Sequence, residues 1–290
     1  MDRGAVSRRR RGEALGAAEA RRAGRRRSRR VGQPGMAGRP PRRRLRPPHG
    51  ALTMNDDALA ALRETVAISH RLLYLTGLGT TRGHTSARIP DTDTFFIKPW
   101  PHIQMHRVRA EDLIVMDLDG NIVGAGDRQI TKVSEWPIHA EIYRAHPDVG
   151  SIIHTHQKWA TMMGLAGATI LPLLDPELST AVAHEPVMYD EDKALIRSVE
   201  QGRAVSARMQ GANACHLQNH GMVFTGPNVE TATIDAIATE HLAEMTWHAK
   251  LIGTPEAMSS LVLEPALARR SHGEVSEAWE HYWKWVDANP

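Results

Sequence analysis

From residue 56 onwards, short apolar segments alternate with longer segments of helical period, a pattern typical of α/β proteins. The first helix is predicted over residues 56–77, with Asn55 or Asp56 at its N-cap. Further helices are predicted at 135–144, 158–166, 190–207, 231–251 and 274–286. Strands are predicted within 80–89, 95–97, 113–116, 122–123, 149–154, 187–188 and on both sides of a turn in 214–224. No glycine-rich dinucleotide fingerprint, Walker loop or fixed-period repeat occurs, so one domain over 54–290 is expected.

The first 53 residues differ in composition from the rest of the chain. They hold 17 Arg and three acidic residues, a net charge of +14, and 38 of the 53 are Arg, Gly, Ala or Pro. The remaining residues hold 19 basic and 30 acidic groups, a net charge of −11. Because segment 1–53 cannot bury enough apolar surface to offset chain entropy, we expect a disordered leader.

Three interpretations of the 1–53 leader compete. A nucleic-acid arm lacks the aromatic residues that stack on bases, and a transit peptide is opposed by the proline runs. The favoured interpretation is a misannotated translation start upstream of Met54, which directly precedes the first helical pattern. The body is then acidic, and no nucleic-acid partner is expected.

Cysteine content and hydropathy exclude further classes. A single cysteine, Cys215, excludes a disulfide framework and a Cys-based zinc finger. No stretch of about 18 apolar residues is present, so no membrane-spanning segment is expected. These features favour a cytoplasmic protein.

Histidines cluster where an apolar strand ends. His154 and His156 are two residues apart, so in a strand both side chains point to one face and can reach one ion. His220 falls in a turn before Gly221, where a backbone bend can project its ring. Three imidazoles with an open position are typical of a catalytic divalent metal site, although a His-X-His pair alone is a weak signal.

Five motifs occur in a fixed order along the body. They are Gly83-His84-Thr85-Ser86-Ala87-Arg88, Asp112-Leu113 through Asp117-Leu118-Asp119-Gly120, Ser134-Glu135-Trp136-Pro137-Ile138-His139, His146-Pro147-Asp148-Val149 with His154-Thr155-His156, and Asn219-His220-Gly221. Over residues 57–252, this order resembles the class II aldolase/adducin family.

The resemblance implies a three-layer α/β/α sandwich around a mainly antiparallel sheet, assembled as a homotetramer. It implies that His154, His156 and His220 bind Zn²⁺ or Mn²⁺, and that Glu135 is the catalytic acid/base. A divalent ion would stabilise the enolate left when a C–C bond next to a carbonyl breaks, and a carboxyl group near the ion could return the proton. Taken alone, without the order of the motifs, Glu135 is better explained as a solvated acid near a helix N-terminus.

Two departures from the sugar-phosphate aldolases bear on the substrate. Those enzymes usually have Gly-Asn in place of Gly83-His84 and Ser-Ser in place of Val133-Ser134. The form of the first motif is similar to family members that decarboxylate hydroxylated aromatic or pyridine carboxylates. His84, Arg88, Ser134 and His139 are therefore candidate substrate-binding residues, although Arg88 could be structural and His139 could be a packing residue.

The favoured function is a divalent-metal-dependent carbon–carbon lyase that decarboxylates a hydroxylated aromatic or heteroaromatic carboxylate. The alternative is an aldolase that cleaves a hydroxy-ketone or sugar phosphate. A non-catalytic adducin-like binding domain is disfavoured because a scaffold needs no metal ligands. His102 and His106 could border the site, and the Trp-rich C-terminus is expected to pack on the body or on a neighbouring subunit.

Overall fold

The computed structural model describes residues 56–100, 103–124, 130–271 and 277–288. The leader 1–53, Met54, Asn55 and His102 lie outside these residues. The described chain contains eight β-strands in one sheet, in the order β4-β3-β2-β1-β5-β8-β7-β6. They are β1 (His84–Arg88), β2 (Thr94–Ile97), β3 (Ile114–Asp117), β4 (Ile122–Gly124), β5 (Ser151–Thr155), β6 (Val187–Tyr189), β7 (Ala214–Leu217) and β8 (Gly221–Gly226). All neighbouring strands are antiparallel except β6 and β7, so the predicted mainly antiparallel sheet is confirmed.

Helices cover both faces of the sheet, as the predicted α/β/α sandwich requires. The α-helices of the described residues are α1 (Asp56–Leu75), α2 (Trp136–Ala145), α3 (Lys158–Leu165), α4 (Pro176–Ser179), α5 (Val199–Arg208), α6 (Val229–Ile252), α7 (Ser260–Ser271) and α8 (Glu277–Ala288). None of the helices in these ranges is long and apolar enough to cross a membrane.

Alternating strand residues build two separate cores. Ile152 packs with Ile138 and Ile142 of α2 on one face, where α5 also lies. Its neighbour Ile153 packs on the opposite face, against side chains of α1, α3 and α6. Because successive strand side chains point to opposite faces, apolar residues at both positions place β5 in the middle layer.

Strand register brings distant histidines together. His84 of β1 pairs directly with His154 of β5. On the other side of β5, Thr155 pairs with Met222 of β8, and the turn before β8 carries His220. A Cβ added to Gly221 would lie 2.3 Å from the Thr155 carbonyl oxygen, so only glycine allows this close approach.

Most of the predicted elements are present, with three differences, the first being the short helix α4, which was not predicted. The helix predicted over 190–207 begins only at Val199, because Ser198 is extended (φ −108°, ψ 156°) and its side chain caps the helix by accepting from the backbone N–H of Gln201. Helix α7 was not predicted. It contains Pro265, and its large apolar residues Leu261 and Val262 are exposed, so it shows no clear apolar stripe.

Candidate metal centre

Three histidines and one glutamate converge at the ends of β5 and β8. His154 is the fourth residue of β5 and is fully buried, and His156 follows the strand. Ring centroids of His154 and His156 are 4.8 Å apart, and His220 lies 4.8 and 4.9 Å from them. One ligand atom from each of these histidines and one from Glu135 all lie within 4.8 Å of one another.

A backbone contact orients the His154 ring. Its Nδ1 lies 2.9 Å from the carbonyl oxygen of Met222. A carbonyl oxygen can only accept, so Nδ1 carries the proton and Nε2 presents a lone pair to the centre. Ring orientation by a carbonyl is the usual support of a metal-binding histidine.

Glu135 sits at the N-cap of α2, immediately before Trp136 and Pro137. Its Oε1 lies 3.1 Å from His220 Nε2, and its Oε2 lies 3.6 Å from His154 Nε2 and 3.9 Å from His84 Nε2. Burial raises the pKa of this carboxyl group, but the surrounding imidazoles, His154 foremost, outweigh burial once acid protonates them and hold the pKa below its ordinary value. Glu135 is therefore a carboxylate.

Burial also keeps two of the histidines neutral. It lowers the pKa of His154 well below 6.5 and that of His156 to about 4. Metal binding requires neutral imidazole, so both rings are in the ligating form at neutral pH.

Unsatisfied atoms indicate that a cation fits between these residues. His154 Nε2 and His156 Nε2 lie only 2.9 Å apart, and two lone pairs at that distance repel unless a proton or cation lies between them. Glu135 Oε1 and both His220 ring nitrogens are buried without a hydrogen-bond partner among the described residues, because the 3.1 Å approach lacks hydrogen-bond geometry. Three imidazole nitrogens and a carboxylate oxygen suit Zn²⁺ or Mn²⁺.

Sequence comparison assigns the chain to a family. A family model described as the Class II Aldolase and Adducin N-terminal domain matches residues 63–247, which include all four residues of the centre. The chain belongs to the class II aldolase and adducin family.

Relatives in the class II aldolase and adducin family differ in activity. The chain is 30% identical over 219 residues to a 5-methylthioribulose-1-phosphate/5-deoxyribulose-1-phosphate aldolase of Rhodospirillum rubrum, covering 75% of this chain and 95% of the relative. It is 28% identical over 195 residues to a 3,4-dihydroxyphthalate decarboxylase of Arthrobacter keyseri, covering 64% and 78%. An L-fuculose 1-phosphate aldolase structure from Glaciozyma antarctica shares the fold, with a TM-score of 0.68, 20% identity and coverage of 84% and 94%.

The predicted substrate residues occupy different positions in this class II aldolase fold. His84 lies beside Glu135, and its Nδ1 is 2.7 Å from His139 Nε2. Ser134 is exposed and lines the cavity next to Glu135.

Arg88 lies at the far end of β1 from His84. Its guanidinium donates to the carbonyl oxygens of Tyr143, His146 and Val149. These bonds hold the end of α2 against β1, which is the structural role that the sequence left open, and a role of Arg88 in substrate binding stays a prediction.

A cavity of about 90 Å³ beside the centre is lined by cationic side chains that the sequence motifs do not identify. Arg82, Lys98 and Arg197 line it together with Glu135 and His84. Lys98 is only 1% exposed, and its Nζ donates to the carbonyl oxygen of Thr81 at 3.0 Å. No carboxylate of the described residues lies within ion-pair distance of it. Burial lowers its pKa to about 8, so it is cationic at neutral pH.

Other residues singled out in the sequence lie elsewhere. His106 packs against Tyr74, with ring centroids 4.4 Å apart. Cys215 is a buried residue of β7, and burial raises the pKa of its thiol to about 12. Trp279 packs on Ile68 and Leu72 of α1, in agreement with the predicted packing of the C-terminus on the body.

Proposed function

We propose that this protein is a divalent-metal-dependent carbon–carbon lyase whose reaction is the decarboxylation of a hydroxylated aromatic or heteroaromatic carboxylate. The observation that carries the proposal is the convergence of the Glu135 carboxylate on His154, His156 and His220, with buried ligand atoms left unpaired. The non-catalytic alternative would leave these buried polar atoms without a use.

The histidines of the centre and Glu135 have different roles in the proposed reaction. An ion held by His154, His156 and His220 would supply Lewis-acid stabilisation of the electron pair left when the C–C bond breaks. Decarboxylation exchanges the carboxylate of the ring for a proton, so carbon dioxide leaves and the ring carbon must be protonated. Glu135, whose carboxylate faces the same space, is positioned to accept the proton that the substrate hydroxyl group releases and to deliver it to that carbon.

The cationic lining of the cavity supports an anionic substrate. Within the part of the chain that the structure describes, Lys98 is a buried positive charge without a carboxylate partner, and Arg82 and Arg197 line the same space. An uncompensated buried charge is unfavourable, so binding an anionic group there would recover stability. His84, which stands where sugar-phosphate aldolases usually have Asn, favours a carboxylate over a phosphorylated sugar.

A second candidate is an aldolase acting on a hydroxy-ketone or sugar phosphate. The resemblance to the Rhodospirillum rubrum aldolase over 95% of that enzyme favours it. The same cationic side chains would bind a phosphate group, and the same ion and Glu135 would serve cleavage of a carbon–carbon bond next to a carbonyl.

Product analysis separates the two reactions. The zinc- or manganese-loaded protein is incubated with a panel of hydroxylated benzene and pyridine dicarboxylates and, in parallel, with ketose 1-phosphates. We expect release of carbon dioxide from at least one acid, and no release by Glu135→Gln. An aldehyde product from a ketose phosphate, with no carbon dioxide from any acid, would favour the aldolase instead.

A further inference from the structure

A buried chain of hydrogen bonds runs from Tyr143 to the metal centre. Tyr143 OH lies 2.8 Å from Ser86 Oγ, and Ser86 Oγ lies 2.6 Å from His139 Nδ1. His139 Nε2 then lies 2.7 Å from His84 Nδ1, and His84 Nε2 faces Glu135 Oε2 at 3.9 Å. The exposed fraction of His84 is 4%, and the other three are at most 1% exposed.

Two regular periodicities create this chain. His84 and Ser86 are two residues apart on β1, so both side chains leave the same face of the sheet. His139 and Tyr143 are four residues apart on α2, one helical turn along the same face. The helix lies on that face of the sheet, so the four side chains interleave.

We propose that this chain of hydrogen bonds has a fixed polarity, meaning that each group donates to the next, from Tyr143 through Ser86 and His139 to His84. It thereby presents His84 to the substrate as a neutral Nε2–H donor. Ser86, His139 and Tyr143 are then positioning residues. The part of the proposal that concerns substrate rests on the proposed function.

The polarity follows from counting donors. Ser86 Oγ is the acceptor within reach of the Tyr143 hydroxyl among the described residues, because the backbone groups of Ile152 and Arg88 that also contact this hydroxyl lower its pKa and so act as donors. Tyr143 therefore donates to Ser86, because otherwise its buried O–H would have no acceptor. Burial raises the pKa of Tyr143, so this proton is retained.

Ser86 has one proton and two possible acceptors. His139 Nδ1 is 2.6 Å away, whereas the carbonyl oxygen of Ile152 is 3.5 Å away, beyond the usual range of an O–H···O bond. The proton of Ser86 therefore lies on the bond to His139 Nδ1. His139 then carries its proton on Nε2 and donates to His84 Nδ1, and His84 carries its own proton on Nε2.

The surroundings favour the same arrangement. His84 Nε2 faces the Glu135 carboxylate, which attracts an N–H and repels a lone pair. The same contacts leave each ring with one proton, because His139 Nδ1 accepts from Ser86 Oγ and His84 Nδ1 accepts from His139 Nε2. Phe95 stacks on His139 with an interplanar angle of 14° and holds the plane of the ring.

The direction of these hydrogen bonds gives His84 and Glu135 different roles. A neutral imidazole N–H is a good hydrogen-bond donor and a weak acid. His84 would therefore bind an anionic oxygen of the substrate. Proton transfer to carbon would fall to Glu135.

Neutron crystallography of the zinc-loaded protein, exchanged into deuterium oxide, tests the polarity without any turnover. We expect deuterium on Nε2 of both His84 and His139 and none on their Nδ1. Deuterium on either Nδ1 would overturn the proposal. His70 is an internal control, because its Nδ1 lies 2.8 Å from the Val66 carbonyl oxygen and its Nε2 accepts from the Thr85 amide, so its deuterium must lie on Nδ1.

Kinetics of two variants test the role of His84. His84→Gln keeps an N–H donor near the Nε2 position, and His84→Met removes it. We expect kcat/KM to stay within about tenfold of wild type for the first and to fall by a further tenfold or more for the second. Equal losses in both variants would overturn the donor role. If no acid is turned over at all, the proposed function fails, and the neutron map still decides the polarity.

Discussion

Glu135 is the residue on which the proposed chemistry depends most. Glu135→Gln keeps the size of the side chain but removes its ability to carry a proton. We expect kcat to fall by about 10²-fold or more, while the three histidines retain the metal. Steady-state kinetics together with metal analysis measure both effects. Glu256→Gln, on the exposed surface, is the matched control and should leave kcat unchanged.

Lys98 is the residue that bears on substrate charge. Lys98→Met keeps a long side chain and removes the charge, so we expect KM for the anionic substrate to rise by about tenfold or more at pH 7. Because the pKa of Lys98 is lowered to about 8, its positive charge is lost as pH rises through 8. Wild-type KM should therefore rise above pH 8.

The KM of Lys98→Met should lack this rise above pH 8. Equal pH dependence of KM in the two proteins would contradict a role for Lys98. The exposed Lys193→Met variant is the control and should behave as wild type.

The sequence identified some site residues and not others for a definite reason. His154 and His156 are neighbours on one strand, so spacing alone places them together. The Ser86–His139 and His84–His139 contacts join residues 53 and 55 positions apart, and no local pattern reports such a contact. Lys98 was missed because a lysine after a strand is usually exposed, and its burial depends on how the surrounding segments pack.

At the scale of elements, α5 shows how a local signal is overlooked. Apolar spacing favoured a start at residue 190, but the Ser-X-X-Gln pattern of Ser198 and Gln201 is a capping box and fixes the start at Val199. We expect Ser198→Ala to lower the free energy of unfolding by about 1 kcal/mol in chemical denaturation. Ser198→Thr keeps the capping oxygen and should lower the free energy of unfolding by only about 0.3 kcal/mol. Equal losses in both would contradict the capping role.

Strands were predicted more reliably than helix ends. Apolar residues at adjacent positions of β5 and β8 reflect burial on both faces, and their flanking glycines and histidines mark the ends. Helix α7 escaped prediction because Leu263 and Ala266 are its only residues in the buried core, too few to set a period.

At the scale of the whole molecule, buried neutral histidines make stability depend on pH. Burial lowers the pKa of His70 to about 3, and burial likewise lowers the pKa values of His84, His139 and His154. Below pH 6.5 the unfolded chain binds protons that the folded chain does not, so the free energy of unfolding of the metal-free protein should fall as pH drops from 6.5 towards 3.

Each such histidine contributes a slope of about 1.4 kcal/mol per pH unit in this window. Urea denaturation at several pH values measures the slope. His70→Gln should reduce the slope by the contribution of one histidine, about 1.4 kcal/mol per pH unit. An unchanged slope in that variant would contradict the assignment to His70. The predicted homotetramer, at this same scale, stays a prediction, which light scattering of the purified protein would test.

The central claim is that Glu135, His154, His156 and His220 hold one divalent ion that the lyase reaction requires. Inductively coupled plasma mass spectrometry of protein purified in zinc or manganese, paired with an activity assay, tests it most directly. We predict about one ion per chain in wild type and in the surface control His248→Ala. His154→Ala and His156→Gln should lose both the ion and the activity. Undiminished metal in these two variants, or full activity after the metal is lost, would contradict the claim.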